Sequence, residues 1–97
     1  MAKLKKLAIN CNRLTRDSMY DNGRYCAVGQ YLRKVKEITP QALVDDDWEV
    51  SSKEDRVLTD IMEINDNVNI PWKEKEKEIN KLFKEIGVRS EFVNKWW

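Results

Sequence analysis

Cys11 and Cys26 stand fifteen residues apart in a 97-residue chain that has no other cysteine and no histidine. A zinc site would need two further thiolate or imidazole ligands, and the chain has none to offer. A redox pair would want the Cys-x-x-Cys spacing. Both cysteines sit among apolar neighbours and read as small buried hydrophobes, with a disulfide or an intersubunit link as the other reading. The missing histidine removes the usual general base and any Ser-His-Asp arrangement. Asp60 and Glu63 share a helical face, but nothing near them in sequence suggests the apolar pocket that would raise one pKa. Neither a Gly-x-x-x-x-Gly-Lys-Ser/Thr phosphate loop nor a Gly-x-Gly-x-x-Gly turn occurs. Asp45-Asp46-Asp47-Trp48-Glu49 lacks the alternating oxygen ligands and the bend glycine of a calcium loop, and reads as a solvated acidic loop. No catalytic set, metal or cofactor is expected, and the chain reads as a binding protein.

Charge is the first guide to what it binds. The totals nearly cancel, 18 Lys+Arg against 17 Asp+Glu, yet the distribution is polar. Residues 1–36 hold nine bases and two acids, net +7; residues 37–66 hold two bases and ten acids, net −8; residues 67–97 are net +2. One reading is a basic face for nucleic acid or a nucleotide, with Arg13, Arg16, Arg24, Arg33 and Lys34 as its candidate contacts. The other is that the two stretches fold against each other and neutralise their fields. A dedicated nucleic-acid binder carries a clearer basic excess, which favours the second.

The elements that must position these residues read as helices. Leu4, Leu7, Ala8, Cys11 and Leu14 follow helical spacing and predict a helix over 3–15. Asp21-Asn22-Gly23 is a turn signal; a hairpin through Met19-Tyr20 and Arg24-Tyr25 is the alternative. A second helix is expected over 24–37, with Gly29 inside it either for close backbone approach or as a tolerated surface glycine. Thr39-Pro40 opens a short helical turn through Ala42, Leu43 and Val44. Ser51 and Glu54 form a capping box for a third helix over 53–65. Asn65 falls on that helix's buried stripe, where its amide should bond backbone; a ligand-binding role is its other reading. Pro71 opens a fourth helix over 71–86, with Gly87 as its left-handed stop. Its Lys-Glu run, residues 73–78, is a solvated surface. The expected fold is therefore all-α: a single domain, 1–97, of about four helices. Its core should hold Leu7, Cys11, Val28, Leu32, Ile61, Ile64, Leu82, Phe83 and Ile86.

The segment Asp21-Asn22-Gly23-Arg24-Tyr25-Cys26-Ala27-Val28-Gly29 resembles the Gly-Arg-x-Cys-Ala-Leu-Gly segment of small, largely uncharacterised proteins from bacteriophages and bacterial genomes. Ile64-Asn65-Asp66 and Lys81-Leu82-Phe83 match that pattern's later Asn-Asp pair and final helix. Val28 stands where leucine is usual, and the connection from Lys34 to Ser52 does not align. The resemblance implies an α-helical phage or mobile-element accessory protein and carries no catalytic residues; taken with the small size, the absence of catalytic chemistry and the charge polarity, the expected role is binding a host protein or defence component.

The C-terminal tail adds the last candidate site. Ser90 is expected to cap a short helical turn through Phe92, Val93, Trp96 and Trp97. Either the terminal rings fold back over Trp72 and Ile79 as core, or Trp96 and Trp97 form a surface for a partner or a homodimer. The core role is favoured for the tail, with any dimer formed elsewhere. No apolar run is long enough to span a bilayer, the basic start has too short an apolar stretch for a signal peptide, and the cytoplasm, of a host if the protein is viral, is the expected location.

Overall fold

The computed structural model describes residues 5–11, 14, 20–21, 24–45 and 47–97. In chain order it contains β1 (Lys5–Asn10), β2 (Tyr20–Asp21), β3 (Arg24–Tyr25), α1 (Ala27–Lys34), α2 (Pro40–Val44), α3 (Ser52–Asp66), α4 (Trp72–Glu85) and β4 (Val88–Val93). The fold is mixed α/β, which corrects the all-α expectation.

The correction lies at the two ends of the chain. β1 and β4 pair in parallel, from Lys5 beside Val88 to Asn10 beside Val93. The apolar residues of this part of the sequence satisfy two periods at once: Leu4, Leu7, Ala8 and Cys11 fit a helix, but Leu7, Ile9 and Cys11, in β1 and just after it, alternate as a strand. The strand wins because a second alternating segment, Val88, Ser90 and Phe92, lies opposite, and both sets are buried while Lys6, Ala8, Arg89 and Glu91 face solvent. Ser90 is thus a strand residue rather than a cap. Its hydroxyl and the Asn80 side chain are 2.6 Å apart, which satisfies it in the interior.

The second helix is shorter than expected. Cys26 is extended (ψ 175°) and its thiol accepts from Gly29 N at 3.4 Å, so α1 begins at Ala27. Glu37 adopts a left-handed φ of 58°, beyond the helix end at Lys34. Arg24-Tyr25 instead pairs antiparallel with Tyr20-Asp21, the hairpin alternative; the turn at Asn22-Gly23 lies outside the described residues. Gly29 is buried inside α1.

The remaining helices follow their caps. Thr39 caps α2 by accepting from Ala42 N at 3.2 Å. Both halves of the Ser51/Glu54 box are made at the start of α3. Gly87, at φ 76°, ends α4, and its carbonyl accepts from Lys5 N at 2.9 Å, the first bond of the parallel pair. α3 packs on α4, α4 on β4, and α1 on both α3 and β1. The core between them includes Leu7, Ile9, Val28, Leu32, Leu58, Ile61, Ile79, Phe83, Val88 and Phe92. Ile64, Leu82 and Ile86, expected inside, are only half-buried against it, because the sheet supplies the apolar surface that a four-helix core would have drawn from them. Among the described residues no helix is long and apolar enough to cross a membrane.

Candidate functional site

β4 ends beside the first turn of α4, and that junction builds an aromatic cap. Asn94 takes a left-handed φ of 59°, a conformation Asn tolerates better than most residues, and turns the chain off the strand. Lys95 then pairs with Glu76 at 3.0 Å, while Trp97 Nε1 donates to the other Glu76 oxygen at 3.2 Å. These two bonds hold Trp97 nearly flat on Trp72, with centroids 5.5 Å apart and planes 20° from parallel. Trp97 also meets Phe92 edge-on at 5.8 Å. Trp96 stands edge-on to Trp72 at 5.5 Å and to Trp97 at 4.9 Å. Its neighbours are partly covered, but Trp96 itself is 58% exposed.

The base of the cap is a buried polar knot. Lys75 is 1% exposed; its ammonium sits 4.3 Å from the Trp72 ring centroid and donates to Asn65 O at 2.7 Å, at the carbonyl end of α3. A cation there is favoured by the helix dipole and by the ring's electron-rich face. Asn65, fully enclosed, accepts from Ala27 N at 3.3 Å and donates to Asp66 at 3.0 Å. The asparagine thus joins the start of α1 to the end of α3, in the backbone-bonding role expected of it, and it faces no solvent.

Of the basic candidates, Arg33 and Lys34 are the two whose side chains the structure describes. Arg13 and Arg16 lie outside the described residues. Arg24 is placed in β3 by its pairing with Asp21, and its side chain is not described. Arg33 donates to Ile38 O at 3.0 Å, across the end of α1. Lys34 donates to Ala8 O on β1, and the water it loses there lowers its ammonium pKa. Beside it, Gln30 accepts from Asn10 N at 2.7 Å and donates to Asn10 O at 3.1 Å, so α1 side chains cover the outer edge of β1. Among the described residues one ion pair, Lys36–Glu54 at 3.1 Å, joins the basic stretch to the acidic one. Asp45, Asp47, Glu49, Asp55, Asp60 and Glu63 remain exposed.

Sequence reasoning passed over Lys6, Arg89 and Glu91, which the strand register brings onto the solvent face of the sheet. Only the alternation within both end segments could have signalled them. The two thiols are buried and free. Burial pushes Cys26 up to about 11, against the opposing hydrogen bonds from Gly29 and Val28, and it also raises Cys11.

Comparison with protein-family models, with curated proteins and with solved structures finds no match to this chain.

Proposed function

We propose that this protein acts by binding another protein, with Trp96 at the centre of the contact. The observation that supports the reading is a large indole, more than half exposed, held edge-on against both Trp72 and Trp97. An indole held in place loses little rotamer freedom on binding, so more of its burial reaches affinity. Trp is among the residues that dominate binding energy at interface centres. The Lys95–Glu76 pair beside it supplies the polar rim such contacts carry. A phage or mobile-element role rests on the sequence resemblance alone, carried by residues 21–29, the Asn65-Asp66 pair and Lys81-Leu82-Phe83, and a second copy of the chain is one partner the reading admits.

The test is a photoreactive phenylalanine analogue incorporated at position 96 and, separately, at position 60 on the exposed face of α3. Irradiation in cells of the natural source should yield a discrete protein adduct from position 96 and not from position 60. No adduct at position 96, or the same adducts from both, would overturn the proposal.

A further inference from the structure

The solvent face of the β1–β4 pair holds a charge arrangement that the fold leaves unbalanced. Register sets Lys6 beside Arg89 and Ala8 beside Glu91, all four exposed, with the strands about 4.8 Å apart. Like charges directly opposite each other across two strands are destabilising. Among the described residues neither Lys6 nor Arg89 forms an ion pair. Glu91 lies two residues along the same face, roughly 6.6 Å further up the strand. Between these groups the small Ala8 side chain leaves a trough of about 460 Å³, bounded in the described residues by Lys6, Leu7, Ala8, Arg89, Ser90 and Glu91. Lys34 adds a third positive charge at the β1 edge, through its bond to Ala8 O.

We infer that this trough is a binding site for a phosphate monoester carried on a hydroxylated ring, the chemistry shared by sugar phosphates and nucleoside monophosphates. The phosphate sits where Lys6 and Arg89 adjoin, and its charge relieves their mutual repulsion. Arginine presents a planar fork to two phosphate oxygens, and lysine adds a compact charge. Glu91, an acceptor when ionised, accepts hydrogen bonds from the ring hydroxyls, and the body of the ring lies over the Ala8 methyl. The volume falls within the roughly 300–1,000 Å³ of small-molecule sites. An extended nucleic-acid strand fits less well: Glu91 opposes a second phosphate, and the outward residues of both strands include no aromatic ring to stack a base.

The site is independent of the Trp96 contact and is tested separately, by amide chemical-shift titration of the full chain with inorganic phosphate, ribose 5-phosphate and adenosine monophosphate. Shifts should concentrate at Lys6, Ala8, Arg89 and Glu91, and ribose 5-phosphate should bind about tenfold more tightly than phosphate. Adenosine monophosphate binding more tightly again identifies a nucleotide site, and equal affinity identifies a sugar-phosphate site. Arg89→Gln should weaken all three ligands about tenfold or more. Glu91→Gln should keep phosphate affinity and lose the preference for the ring. All these side chains are exposed, so unchanged spectra elsewhere will show that the variants remain folded. Shifts scattered over other surfaces, no shifts at millimolar ligand, or undiminished binding by folded Arg89→Gln would overturn the inference.

Discussion

Glu54 shows how one side chain can serve three segments. Its Oε2 accepts from Tyr31 OH at 2.9 Å and pairs with Lys36 at 3.1 Å, while Oε1 meets Ser51 Oγ at 3.0 Å. Partial burial raises its pKa, but the hydrogen bonds from Tyr31, Lys36 and Ser51 outweigh burial and hold it below the usual carboxylate value. A carboxylate depressed in this way stabilises the fold above its unfolded pKa of about 4.3, and that contribution fades as pH falls through the lower folded value. Glu54→Gln should therefore cost on the order of 1 kcal/mol at neutral pH, discounted for solvent screening. Urea melts across pH should show the gap closing in acid. Cys26 behaves in the opposite sense. Its raised pKa favours the neutral thiol in the fold, so its contribution is complete below the unfolded pKa and is lost as pH climbs towards about 11. Near neutral pH its thiolate population should be about a hundredfold below that of a free cysteine. Mass spectrometry after iodoacetamide treatment should find Cys26 unmodified in the native protein and modified once unfolded. At this scale the sequence was partly legible. Asn65 read as a buried backbone partner because it lies on an apolar stripe. Arg33 and Lys34 each donate to a carbonyl brought near by the fold, Ile38 O and Ala8 O, a use that no spacing in the sequence signals.

Elements with their own stop and start signals were legible, and those defined by distant partners were not. α2, α3 and α4 carry Thr39, Ser51 and Gly87 at their ends, and the structure uses all three. β1 and β4 have no such punctuation. Six residues of either are too few to separate the two periods, and their parallel partner lies more than 80 residues away. The Lys6–Arg89 pair was invisible for the same reason. Gly87 is where helix signal and sheet meet. A methyl at this position would touch nothing within 4 Å, so the cost of Gly87→Ala is backbone strain alone. Thermal melts should place it at roughly 1–2 kcal/mol. Phe83→Ala, which empties a fully buried site against Tyr31, should cost about 3–5 kcal/mol. Leu82→Ala should cost clearly less, since Leu82 is only half-buried. Equal losses at the two positions would mean that α4 is rotated from the face described.

At the scale of the whole molecule, the first and last strands and the residues after them close on one another. β1 and β4 pair, Asn94 bonds Asn10 at 3.2 Å, and the tail closes over Trp72. The terminal tryptophans divide the two roles that composition alone left joined: Trp97 lies against Trp72 and Phe92, while Trp96 faces outward. Truncation after Val93 should therefore lower Tm by several degrees, because it strips the cover from Trp72 and Phe92. Sedimentation in parallel will show whether the tail also carries association between copies. The protein-binding claim itself is tested most directly by calorimetry of the partner captured at position 96, titrated with wild type and Trp96→Ala. The account predicts an affinity at least about thirtyfold weaker for Trp96→Ala, the loss of a central interface residue worth about 2 kcal/mol, while the variant stays folded with a smaller fall in Tm than the truncation causes. Equal affinity for the two proteins would contradict it.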